Sequence, residues 1–135
     1  MIVLAWNPGN ATISKLPPCH YTFAFNVLGN KLNCHLTQRS GDIALGIPFN
    51  LACYSLLTMM IAKECGYEAG EFAHTIIDAH IYENHIEGLK EQLTRKPLKL
   101  AKIKIADKPF NELTFEDITL EDYESYPVIK FEVAV

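Results

Sequence analysis

The sequence predicts an α/β (α+β) fold, a mixed sheet with flanking helices, and three observations carry that expectation. Segments with the alternating period of strands are interleaved with segments of helical character rather than separated from them. A Gly29-Asn30 pair between two alternating runs marks a tight hairpin, hence an antiparallel strand pair. An uncharged stretch, Ile43 to Ala62, then separates that hairpin from a further strand-like run. With 135 residues, 49% of them hydrophobic and 21% charged, the chain suits one domain over residues 1–135 with its own core.

Taken in order, "IVLAW" (2–6) is a short apolar strand closed by the turn cluster Asn7-Pro8-Gly9-Asn10. After His20, Tyr21, Phe23, Phe25 and Val27 alternate with Thr22, Ala24 and Asn26, as in a strand with one buried face. The return strand "KLNCHLTQ" carries Leu32, Cys34 and Leu36 on one side. "GIPFNLACYSLLTMMIAKECG" reads as a helix, with Pro48 in the first turn, Lys63 in the last and Gly66 as the stop. "EFAHTIIDAHIY" (71–82) is a second apolar strand, and "NHIEGLKEQLTR" (84–95) an amphipathic helix with Ile86, Leu89 and Leu93 inward. "LKLAKIKI" (98–105) alternates again, the acidic run Glu116 to Glu124 reads as a solvated face, and "VIKFEVAV" is an apolar end.

Charge and cysteine usage narrow the function classes. A net charge of -4 and a pI near 5.7 argue against a nucleic-acid-binding surface. Gly46, Pro48, Asn50, Ser55 and Thr58 make the uncharged stretch a poor lipid helix, so a buried core helix is expected and no membrane partner. Cys19, Cys34, Cys53 and Cys65 form no CxxC pair or metal knuckle, and without a secretory signal they read as reduced thiols of a cytoplasmic protein. Cys34, Cys53 and Cys65 are expected to be packing thiols, and the Met59-Met60 pair core. His80 and His85 with Glu83 between them match no zinc motif, so no metal is expected.

The stretch "LPPCHYTFAFNV" raises a sharper question. By itself Cys19 beside His20 reads more readily as an ordinary buried thiol than as a nucleophile. If Leu28 and Lys31 flank the turn, Val27 faces Leu32, Phe25 faces Cys34 and Phe23 faces Leu36, and the apolar faces match. The same rule extended outward sets Tyr21 against Gln38, His20 against Arg39 and Cys19 against Ser40. A one-residue bulge would instead bring Arg39 onto the side of the thiol. A neighbouring guanidinium favours the thiolate, and Arg39 with Ser40 offers donors suited to a phosphate. A solvent-facing Arg at a strand end remains the plain alternative.

"LPPCH", then "QRSGDIALGIPFN", then "DAHIYENH", in this order and spacing, resemble thymidylate synthase, from "AWNP" near the start to the "VAV" tail. The resemblance implies a partial thymidylate synthase-like fold and the conversion of dUMP to dTMP with 5,10-methylenetetrahydrofolate as co-substrate. It makes Cys19 the nucleophile that attacks C6 of the uracil ring. Arg39 and Ser40 would hold the nucleotide phosphate, Arg39 also tuning the thiol. Asn50 would read the uracil edge, its amide both donating and accepting, though without the resemblance a near-cap polar residue is the preferred reading at a helix start. His80 and Tyr82 would bond the deoxyribose hydroxyl from one strand face. Asp42 would bond the pterin, near the nucleotide, and Leu45, Gly46, Phe49 and Ala134 would line the folate slot. His20 and Gln38 would belong to the surrounding hydrogen-bond network of the dUMP site.

The resemblance covers roughly the second half of a family chain. It implies that an N-terminal half, with further phosphate and folate residues, is missing as a partner, and that two copies pair sheet to sheet as a homodimer. Exposed apolar surface and self-association are therefore expected. Two other classes stay open: a phage-type pyrimidine hydroxymethylase, whose dCMP-specific forms carry an acidic residue where Asn50 stands, and a non-catalytic nucleotide-binding or dimerisation module.

Overall fold

Alternation over residues 20–42 does fold as a hairpin, and the helix that follows covers its apolar side. The computed structural model describes residues 1–10 and 12–133, which divide into two compact units, Met1–Ile81 and Tyr82–Val135. The first unit holds a four-stranded sheet in the order β1 (Ile2–Leu4), β2 (His20–Leu28), β3 (Lys31–Asp42), β4 (Glu68–His80). The first two pairings are antiparallel and β3 with β4 is parallel, joined through α1 (Gly46–Glu64). The sheet is mixed, as the interleaving predicts.

Gly29, at φ 62°, supplies the left-handed residue that the tight turn needs. Leu28 pairs with Lys31, Val27 with Leu32, Phe25 with Cys34 and Phe23 with Leu36, the register read from the turn. It holds only as far as Thr22. Between Thr22 and His20 the ladder shifts by one, so that His20 faces Gln38.

Phe25, Leu32, Cys34 and Leu36 on the sheet, with Tyr54 and Ala62 on α1, form the core, flanked by Phe23, Leu57, Ile61 and Phe72. The Tyr54 ring lies parallel to Phe72 and edge-on to Phe23, its centroid 6.2 and 5.1 Å from theirs, geometries that aromatic quadrupoles favour. The helix ends where Gly66 adopts φ 72°, with Tyr67 N donating to Ala62 O and Gly66 N to Lys63 O. Cys53 and Cys65 are exposed and not packing thiols: Cys53 lies away from the side of the helix bearing Ile47, Tyr54, Thr58 and Ala62, which meets the sheet, and Cys65 lies just past the helix end. Apolar side chains of the helix also face solvent: Phe49 is 70% exposed and Leu51 42%. The apolar surface expected of this chain is thus present, and among the described residues no helix is long and apolar enough to cross a membrane.

In the second unit a 3-10 turn, Glu83–His85, leads into α2 (Ile86–Thr94), and β5 (Lys102–Ile105) pairs antiparallel with β6 (Ile118–Glu121). His85 is fully buried and its Nε2 lies 2.7 Å from the Glu132 carbonyl, which also accepts from Asn84 Nδ2 at 3.1 Å. Ile129 and Phe131 lie so close over Gly88 that a Cβ there would collide with the Phe131 ring. This explains a correction: Ile86 and Leu93 do not point inward but are 40% and 86% exposed, because the packed side of α2 runs through Gly88 and the half-buried Leu89. Strand β5 is also shorter than the alternating run 98–105, β1 ends at Leu4, and the apolar end forms no strand among the described residues.

Nor is the acidic run uniformly solvated. Asp117 accepts from Lys108 Nζ at 2.7 Å and closes a capping box with Thr114. The Lys108 hydrogen bond, then the Thr114 backbone N–H, pull its carboxyl down to about 2.

Candidate active site

The proline-rich segment before β2 is held by a side chain from β3. Arg39 donates from Nη2 to Pro17 O at 2.7 Å and from Nε to Pro18 O at 3.2 Å, and its Nη2 lies 3.8 Å from Cys19 Sγ. The ladder shift at His20/Thr22 makes this possible. Without it Cys19 would face Ser40; with it the Arg39 N–H donates to Cys19 O at 2.8 Å. The bulge brings a cation to the thiol, as bulges beside active sites do by re-aiming side chains. Cys19 is itself half-buried, placed where a thiol reaches solvent while its neighbours stay fixed.

Beneath this strand end runs a chain of polar side chains between sheet and helix. Gln38, only 2% exposed, donates from Nε2 to Ser40 O at 2.9 Å and to Asn50 Oδ1 at 3.0 Å. Its Oε1 lies 2.9 Å from His74 Nε2. Next to it, His20 Nδ1 and the Tyr54 hydroxyl are 2.8 Å apart. Burial, with Cys34 and Cys53 adding to it, raises Tyr54 above the ordinary phenol value, so at neutral pH this hydroxyl keeps its proton and can donate it to His20. His20 is thus bonded to Tyr54, Gln38 to Ser40, Asn50 and His74, and Asn50 is held by Gln38 instead of serving as a cap.

Ser40 and Asp42 close β3, where the parallel register sets them opposite Asp78 and His80 of β4. The carboxyl ends of parallel strands are the usual ligand-binding edge of such sheets. Asp42 accepts the backbone N–H groups of Ala44 at 3.0 Å and Leu45 at 3.3 Å, shaping the turn that leads to Gly46 at the head of α1. His80 Nδ1 lies 3.3 Å from Asp78 O. Leu45 and Gly46 are half-buried and Phe49 projects outward.

Two expectations change. β4 stops at His80, and Tyr82 opens the second unit as the residue preceding its 3-10 turn, so the two do not share a strand face. Ala134 lies outside the described residues. The first unit thus assembles Cys19, His20, Gln38, Arg39, Ser40, Asp42, Asn50 and His80 along one sheet end and the adjoining helix start. Among the described residues no cluster of His, Cys, Asp and Glu side chains could hold a metal ion.

Tyr54 and His74 join the site without being among the residues expected from the sequence. Both had a signal: Tyr54 is one helical turn beyond Asn50, and His74 alternates with Phe72 and Ile76 on an apolar strand face. Burial, then the proximity of His35, lowers the His74 pKa below 6.5. Unfolding therefore takes up a proton at acid pH: the His74 contribution to stability is complete above about 6.5 and is lost as pH falls through the lower folded value. Urea midpoints measured from pH 7.5 down to 5 should fall more steeply for the wild-type chain than for His74→Gln, by at most about 1.4 kcal/mol per pH unit. Parallel curves would show that His74 does not titrate this way.

A family model described as thymidylate synthase matches residues 1–135. The thymidylate synthase of Mycoplasma pneumoniae is 53% identical over 136 residues, an overlap of 100% of this chain and 47% of that relative. Those of Listeria monocytogenes serotypes 4a and 4b are 53% identical over 137 residues, covering 100% of this chain and 44% of each relative. The chain spans about half the length of the curated relatives it matches.

Proposed function

This chain belongs to the thymidylate synthase family, and from that premise we propose that it carries the nucleophile-bearing half of a site for reductive methylation of dUMP to dTMP. The observation that carries the proposal is the 3.8 Å approach of Arg39 Nη2 to Cys19 Sγ at a strand end shaped by the bulge. The Cys19 thiolate attacks C6 of the uracil ring, and the electron pair moves to C5 as an enolate. The folate co-substrate, 5,10-methylenetetrahydrofolate, supplies the one-carbon unit and then a hydride, leaving as dihydrofolate. Loss of the C5 proton and expulsion of Cys19 restore the ring and the free thiol. A covalent adduct divides a difficult carbon–carbon bond formation into easier steps.

Arg39 holds Cys19 in place and with Ser40 binds the nucleotide phosphate. Asn50 reads the uracil edge, His80 takes the sugar hydroxyl, and Asp42 with Leu45, Gly46 and Phe49 takes the folate. Two copies pair through the sheet face bearing Thr22, Asn26, Asn33 and His35, in the cytoplasm. The second reading is a nucleotide-binding or dimerisation module without catalysis.

Intact-protein mass spectrometry after incubation with 5-fluoro-dUMP and methylenetetrahydrofolate separates these. Fluorine cannot leave as the C5 proton does, so a competent site is trapped as a covalent ternary adduct. The expected adduct disappears in Cys19→Ala. An adduct that forms only when a polypeptide matching the first half of the relatives is added assigns the chemistry to two halves together. Absence of adduct in both conditions overturns catalysis and leaves the binding module.

A further inference from the structure

We propose that His74 is a positioning residue that, through Gln38, sets the amide orientation of Asn50 and with it the choice of a 4-oxo over a 4-amino pyrimidine. The inference rests on the proposed nucleotide site, but its geometry stands on hydrogen-bond polarity alone. The Ser40 carbonyl, 2.9 Å from Gln38, can only accept, so the Gln38 group facing it is the NH2. That NH2 has one further hydrogen, which goes to Asn50 at 3.0 Å, so Asn50 presents its oxygen there. The Gln38 oxygen is left facing His74 Nε2 at 2.9 Å, which therefore carries a hydrogen. Every donor and acceptor of the Gln38 amide is thus paired with a partner of opposite sense.

The consequence lies at the outer end. With Oδ1 turned toward Gln38, the Asn50 NH2 is free of that bond and Oδ1 keeps a second lone pair. That pair of groups matches a ring carbonyl beside an N–H, the 4-oxo edge of uracil. Cytosine presents the reverse pattern, an acceptor beside an NH2. Accepting it requires Asn50 to turn over, which would set its NH2 against the NH2 of Gln38. Gln38 in turn cannot yield without placing its oxygen against the Ser40 carbonyl. Sites that pair buried polar groups in this way discriminate far more strongly than apolar pockets.

His74 closes the chain. Its ring is tilted 31° over Phe72 at 5.7 Å, which fixes the direction of Nε2. Gln38 is 2% exposed, so water does not replace a lost donor. Without the His74 hydrogen the Gln38 oxygen is buried and unpaired. Rotating the carboxamide toward another donor relieves it, and that rotation releases Asn50. Neutral or protonated, His74 donates from Nε2, so the device works across pH.

The test is binding of dUMP and dCMP to this chain, measured by isothermal titration for wild type, His74→Phe and His74→Gln, with side-chain 15N spectra of each. Phenylalanine keeps the ring and removes the donor; glutamine returns an N–H at similar reach. Wild type is expected to prefer dUMP. His74→Phe should lose at least roughly tenfold of that preference, with the Gln38 and Asn50 side-chain amide signals shifted, and His74→Gln should restore both. An unchanged dUMP/dCMP ratio in His74→Phe overturns the proposal. If wild type binds neither nucleotide, the proposed function fails, and the spectra decide the inference: unmoved Asn50 and Gln38 signals overturn it. If His74→Phe does not fold, the wild-type tautomer decides, since a neutral His74 with its proton on Nδ1 has no hydrogen for Gln38.

Discussion

Arg39→Ala is expected to suppress the 5-fluoro-dUMP adduct of Cys19 by about a hundredfold, and to slow alkylation of Cys19 by iodoacetamide at neutral pH by less. Two losses combine in that figure. One is electrostatic: the guanidinium places a positive charge 3.8 Å from Sγ, the reacting atom. The other is mechanical: the guanidinium joins Pro17 O and Pro18 O, at 2.7 and 3.2 Å, to β3. Misplacing a reacting atom by an ångström is alone enough for a loss on the order of a hundredfold. Arg39→Lys separates the two, because an ammonium keeps the charge but cannot span two carbonyls and a sulfur from one planar fork. Alkylation of Arg39→Lys should therefore fall between wild type and Arg39→Ala, while its adduct yield should stay near that of Arg39→Ala. Alkylation at the wild-type rate in Arg39→Ala would remove Arg39 from the activation of Cys19.

The site was legible in the sequence to the extent that it depends on local rules. A two-residue turn fixes strand register, and the register carried Phe25 to Cys34 and Phe23 to Leu36 without further information. The bulge at His20/Thr22 was visible only as an option, since an alternating sequence contains nothing that says where a ladder slips; its position depends on how Pro17 and Pro18 are held. Helix α1 was bounded by Pro48 and Gly66, both local signals. Which of its sides is buried was not legible, because it is apolar nearly all round, and so Cys53 was misplaced, while Cys65 lies past its end. In α2 the periodicity misled for a different reason: a long-range approach of Phe131 to Gly88 selects the packed side, and no helical spacing encodes it. His74 escaped notice because its partner, Gln38, lies 36 residues away across a parallel pair, a relation that exists only once the crossover through α1 has formed.

Leu36→Ala is expected to be the most damaging single truncation, destabilising the Met1–Ile81 unit by about 3 kcal/mol. Leu36 is 0% exposed and lies on the central strand β3, opposite Phe23 on β2 and His74 on β4. Strands on both sides limit relaxation around the lost atoms, which keeps the cavity term high. The loss is a large fraction of the roughly 5–15 kcal/mol that holds a domain together. By comparison, a single hydrogen bond in the Gln38 chain contributes about 0.5–1.5 kcal/mol net. The apolar layer therefore decides whether the unit folds, and the polar chain decides what the folded unit recognises. Leu36→Met, which conserves volume, should cost less than about 1.5 kcal/mol. Urea midpoints by circular dichroism check both values. Leu36 precedes Gln38 by two residues on the same strand face, so the cavity variant should also blur dUMP over dCMP selection, whereas Leu36→Met should not. A Leu36→Ala midpoint equal to that of wild type would mean that the layer beneath α1 does not carry the fold.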